Sequence, residues 1–102
     1  MANNTTIFGT SGRTTTTRKA PGNSTPLLLA AANGARVGLT LGNIGSVSVS
    51  IGQLSTLTTS VGSQPLAVNG QSVVSGIAAT AAWYGIAASS TGDIAVVEEF
   101  GA

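Results

Sequence analysis

Arg36-Val37-Gly38-Leu39-Thr40-Leu41-Gly42-Asn43-Ile44-Gly45-Ser46-Val47-Ser48-Val49-Ser50-Ile51-Gly52 is the stretch on which the fold turns. Val37, Leu39 and Leu41 alternate with Gly38 and Thr40; Val47, Val49 and Ile51 alternate with Ser46, Ser48 and Ser50. Successive side chains of a strand point to opposite faces, so a period of two predicts two strands, each with an apolar face and a small polar face. Asn43-Ile44-Gly45 between them reads as a turn. The expectation is a β-hairpin with all six apolar residues on one core.

Outward from this centre the same pattern continues in shorter pieces. Leu54 to Val61 has β-branched content but irregular apolar spacing. Leu66-Ala67-Val68 after Pro65 reads as a short strand, Asn69-Gly70 is a strong turn dipeptide, and Ser72-Val73-Val74 resumes an extended segment. Ala78 to Ala82 is helix-permissive but too short to hold a helix alone. Ala81 to Ala88 reads as a strand, Ser89 to Asp93 as a turn, and Ile94 to Phe100 as the last strand. Six or seven short strands with turn signals every eight to twelve residues predict an all-β fold, a small antiparallel β-sandwich, jelly-roll-like, over residues 34–102. Residues 1–33 are expected to precede it as an extended Thr-, Ser- and Gly-rich arm. Over residues 1–26 it holds only Ile7 and Phe8 as core anchors and cannot offset its ordering entropy alone.

Composition removes most chemistry. Ala, Gly, Thr and Ser fill 55 of the 102 positions, seven side chains are charged, and His and Cys are absent. No thiol nucleophile, disulfide framework, His-centred triad or Cys/His zinc site can be built from this set. Glu98 and Glu99 are adjacent on a strand and point to opposite faces, Asp93 reads as a turn residue, and Lys19 sits in the arm. No catalytic residue, metal site or cofactor is expected, since general acid–base work needs positioned groups. A net charge of +1 gives no footprint for nucleic acid or an acidic membrane surface. Val37 to Gly92 is uncharged but interrupted throughout by Ser, Thr, Asn, Gln and Gly, unlike a membrane span. Met1-Ala2-Asn3-Asn4 lacks the basic start of a secretory signal.

The charges are segregated along the chain. Arg13, Arg18, Lys19 and Arg36 lie in the first 36 residues, and Asp93, Glu98 and Glu99 in the last ten. Either both ends are simply solvated, or one copy's head is set in register against another's tail. Trp83-Tyr84 is the one aromatic pair; on a strand one ring points inward and one outward, as a core Trp with a peripheral Tyr or as an interface anchor. The Ser- and Thr-lined outer faces carry almost no Lys or Glu to block edge pairing, so partners are expected to cover them.

Several of these pieces, in this order, resemble a known family. They are Arg36-Val37-x-Leu39-x-Leu41-x-Asn43 with Gly45, Val47-x-Val49-x-Ile51-Gly52, Pro65-Leu66-Ala67-Val68-Asn69-Gly70-Gln71-Ser72, Trp83-Tyr84-Gly85-Ile86-Ala87-Ala88, and Thr91-x-Asp93-Ile94-x-Val96-x-Glu98. Together the stretch Ala35 to Phe100 resembles the small β-sandwich domain of accessory proteins in tailed-bacteriophage virions. The resemblance implies a virion structural protein with no catalytic residues: capsid decoration (cement), head fibre or tail component. The long Thr-rich arm favours decoration of the capsid surface, with a tail or head–tail accessory role as the alternative and a carbohydrate-binding sandwich behind both. The expected partners are the major capsid protein and copies of the chain itself, as a homotrimer or homodimer. Ile7, Phe8, Arg13, Arg18, Lys19, Trp83 and Tyr84 are the residues expected to meet the capsid or a sibling subunit.

Overall fold

The apolar alternation resolves into two layers in a computed structural model that describes residues 13–60 and 62–101. Eight strands form: β1 Arg13–Lys19, β2 Leu27–Ala30, β3 Arg36–Asn43, β4 Val49–Gly52, β5 Gln64–Leu66, β6 Gln71–Ser75, β7 Trp83–Ala87 and β8 Ile94–Phe100. A 3-10 helix, Gly76–Thr80, joins β6 to β7. One antiparallel sheet has the order β1-β8-β3-β6 and the other β2-β7-β4-β5. The first strand pairs with the last, the second with the seventh, the third with the sixth and the fourth with the fifth. This nesting is the jelly roll, and every connection except β4–β5 crosses from one sheet to the other.

Leu39 and Leu41 of β3, Ile94 and Val96 of β8, Val49 and Ile51 of β4, and Trp83 and Ala87 of β7 meet between the layers, with Leu29, Ala30 and Leu66 closing the cluster. These are the inward positions of the period-two pattern, and their burial supplies the main favourable term. Two of the six residues expected on this core depart from it. Val47 is half-buried in the connection before β4 and packs against the cluster. Val37 is exposed because a bulge between Arg36 and Gly38 shifts the register and sends Arg36 inward instead.

Three further expectations are corrected. The hairpin of β3 with β4 does not form: the two strands lie in opposite sheets, and residues 44–48 carry the chain across. Asn43 fixes that crossing. Its Nδ2 donates to the Val47 carbonyl and the Leu66 carbonyl, each at 2.9 Å, while its Oδ1 accepts from the Gly45 N–H at 3.0 Å. The sandwich begins at Arg13 rather than at residue 34, since β1 and β2 both lie within the stretch expected to be an arm. β1 has no apolar face to betray it; it is held by an unbroken register with β8, from Arg13 opposite Phe100 to Lys19 opposite Ile94. The strand expected at Leu66-Ala67-Val68 ends at Leu66, and Asn69 takes a positive φ of 67° in the turn that follows. Residues 1–12, including Ile7 and Phe8, lie outside the described residues.

The irregular segment after β4 has a packing role. Leu57 is buried, and the loop lies so close over the outward side of β4 that a Cβ on Gly52 would overlap the Gly62 carbonyl and meet Leu57 Cδ2 at 3.1 Å. Glycine is required there by the approach of the loop. Leu39, 1% exposed at the centre of the core, is the direct probe of the layer assignment. Leu39→Ala should lower stability by about 2–5 kcal/mol in equilibrium denaturation, and an unchanged midpoint would remove Leu39 from the core.

Candidate functional site

Because β1 lies beside β8, the segregated charges of the two chain ends are brought together within one molecule. Arg18 forms a bidentate pair with Asp93 across this seam, and the hydrogen bond and charge of Asp93 hold its guanidinium above the ordinary arginine pKa. Arg13 lies over the Phe100 ring, 5.0 Å from its centroid. Arg36 pairs with Glu98 at 2.7 Å. Head-to-tail registry between copies therefore loses most of its charges to intramolecular partners. Lys19 is half-buried at the end of β1, beside an open recess of about 450 Å3 that also holds Arg18 and Asp93.

Arg36 is the most constrained of these groups. The bulge turns its side chain inward, where it is 1% exposed. Nε donates to the Ala79 carbonyl at 2.5 Å, Nη2 to the Ala81 carbonyl at 2.6 Å, and Nη1 to both the Ala31 carbonyl at 2.9 Å and Glu98 Oε2 at 2.7 Å. One side chain thus joins β3, β8, the connection after β2 and the 3-10 corner before β7. Glu98 also accepts from Thr15 Oγ1 at 3.4 Å, while Glu99, the next residue, is exposed. The two carboxylates do not converge, and among the described residues no cluster of three metal-ligating side chains occurs.

The aromatic pair divides. Trp83 is 8% exposed, belongs to the core, and donates from Nε1 to the Ala78 carbonyl at 2.9 Å. Tyr84 is half-buried on the other side of β7, opposite Leu28 and Gly52. Of the residues expected at a partner contact, Arg13 and Arg18 reach the surface, Lys19 and Tyr84 do so in part, Trp83 is a packing residue, and Ile7 and Phe8 lie outside the described residues.

Sequence reasoning expected polar outer faces to be covered but did not give the layout of any one of them. The register of the first sheet aligns its outward residues in three rows: Arg18-Ala95-Gly42-Gln71, Thr16-Val97-Thr40-Val73 and Thr14-Glu99-Gly38-Ser75. The middle row is uncharged across all four strands, and Val73 is 70% exposed at its end. Strand spacing of about 4.8 Å makes this face roughly 14 Å across between its outer strands, the scale of a protein contact rather than a small-molecule cleft. The opposite sheet has the loop after β4 over part of its outer side, so the two faces are unequal. The signal for this face was present in the polar positions of the alternation, but pairing four such strands side by side requires the topology.

No protein-family profile matches the chain. No curated protein matches it. Among solved structures, a chain described under "Bacillus endospore appendages form a novel family of disulfide-linked pili" aligns over 99% of this chain and 98% of its own, with 12% identity and a TM-score of 0.48. No helix among the described residues is long and apolar enough to cross a membrane.

Removing the buried member of the Arg36–Glu98 pair should be costly. Arg36→Met leaves Glu98 and three carbonyls without their donor and should lower stability by about 3–5 kcal/mol. Glu98→Gln keeps an acceptor near Nη1 and should cost less, about 1–3 kcal/mol. Urea denaturation of both variants checks the order; equal midpoints for wild type and Arg36→Met would contradict the role assigned to Arg36.

Proposed function

We propose that this chain is a structural protein of a tailed-bacteriophage virion, a capsid decoration protein that binds the outer shell and bridges capsomers. The observation that carries this reading is the outer face of the β1-β8-β3-β6 sheet, uncharged across its middle row. A face of Thr, Val and Gly without lysine or glutamate along its centre is poorly guarded against association and suits burial against another protein surface. The resemblance of the ordered series of motifs to virion accessory domains supports the same reading, as does the jelly roll, a fold much used in capsids.

The activity is mechanical and not enzymatic. A ligand that binds the intact shell but not the disrupted one stabilises the shell by mass action, in proportion to the logarithm of its concentration over its Kd. Bridging requires at least two contacts, and a dimer or trimer of the chain presents the sheet face of each copy to a different capsomer. Linking two modest contacts raises the effective affinity well above either alone.

The test is reconstitution. Particles of the encoding phage, stripped of this protein and then redecorated, should release DNA at a higher temperature than stripped particles, and Val97→Lys, which places a charge in the middle row, should reduce occupancy. Equal release temperatures with and without the protein would overturn the cement role, and recovery of the chain in isolated tails would favour the tail assignment.

A further inference from the structure

The borders of the two sheets are not equally protected. β5 is three residues long with Pro65 at its centre. β2 is four residues long, follows Pro26, and is bulged between Leu28 and Ala30. β6 runs directly into the 3-10 helix. β1 carries no such device: it is seven residues long, unbulged, free of proline and uncharged from Thr14 to Thr17. Alternate peptide groups of an antiparallel edge strand point away from its partner, and a long straight edge of this kind is a template for another strand. Beside it, between β1 and β2, runs a groove of about 270 Å3 lined by Thr17, Lys19, Leu28, Ala30, Ala32 and Glu98. Its lining combines apolar Leu28 and Ala30 with the charged Lys19 and Glu98.

We propose that this edge and groove receive residues Asn3 to Phe8 of a second copy of the chain, which add as a strand to β1. Twelve residues precede Arg13, enough for roughly 40 Å of extended chain. Asn3-Asn4-Thr5-Thr6-Ile7-Phe8 is uncharged, rich in β-branched residues, and carries the only two large apolar side chains between Met1 and Leu27. This inference concerns the free protein and does not depend on the capsid reading.

Register decides between the chain's own segment and that of a neighbour. Reversal within Gly9 to Gly12 would pair Phe8 with Arg13, Ile7 with Thr14 and Asn4 with Thr17, setting the polar Asn4 at the groove and the apolar pair near the far end of β1. A second copy has no such loop constraint. Its register is set by side-chain fit, which places Ile7 or Phe8 opposite Thr17, at the groove. The neighbouring residue of that strand then falls on the outer face, beside Thr16 and Val97, since adjacent side chains alternate. Exchange closes reciprocally in a dimer or cyclically in a trimer, leaving no open β1 edge and no runaway polymer.

Light scattering on the full-length protein, in the absence of particles, tests this. The wild-type chain should run at two or three times its 9.9 kDa mass, and an excess of a synthetic peptide of residues 1–12 should convert it to monomers carrying one peptide each. The double variant Ile7→Ser, Phe8→Ser should be monomeric with an unchanged β-sheet circular dichroism signal. A wild-type chain that is monomeric at every concentration overturns the proposal. So does an oligomer whose size neither the peptide nor the double variant alters.

Discussion

The guanidinium of Arg36 is the point through which both layers of the sandwich are tied. It is buried, so its charge and its donors must be satisfied by protein, and its partners come from β8, from the connection after β2 and from the corner between the 3-10 helix and β7. Removing a charge from water costs several kcal/mol unless every donor finds an acceptor, so the network is favourable only when all these pieces are in place together. The consequence is registration. Asn43 does the same at the opposite end of β3, binding the crossing to β4 and the end of β5. β3 is thereby fixed at both ends, and the apolar core between them, Leu39 and Leu41 included, is held in one register.

With β3 fixed, the surface follows. The nested pairing sets β8 between β1 and β3, which brings the basic start of the chain against its acidic end and neutralises much of it locally. What remains outward on this sheet is Thr, Val, Ala and Gly with Gln71 and Ser75 on β6, and Arg18 and Glu99 are displaced to different rows. On the other sheet the loop after β4 covers part of the outer side through Leu57. A small chain with few charges thus acquires one face suited to burial, one partly shielded face, and one long open edge at β1.

Much of the fold was legible in the sequence, and the failures have definite physical causes. The two-layer architecture followed from alternation, and the bounds of β8 from Ile94 to Phe100 matched because an apolar, β-branched run begins there directly after the turn at Ser89 to Asp93. Alternation states which side chains share a face but not which strand lies next door, so a crossing between sheets at residues 44–48 read as a hairpin. β1 was missed because an edge strand exposed on both faces has no apolar stripe, and its Thr run is equally compatible with a solvated segment. The inward turn of Arg36 was invisible, because a bulge reverses the parity that the pattern relies on. At the candidate surface, the sequence marked single residues, while the feature that emerges is a set of rows contributed by β1, β8, β3 and β6, four strands far apart in the chain. Trp83, for which the sequence left a core and an interface reading open, is spent on the core.

Cryo-electron microscopy of the intact virion tests the central claim most directly, because it locates the chain and its orientation in one measurement. The account predicts a jelly roll on the outer shell in multiple symmetry-related copies, with the Thr16-Val97-Thr40-Val73 row against protein and added strand density along β1. A shell without this density, or copies whose β1-β8-β3-β6 face is turned to solvent, would contradict it.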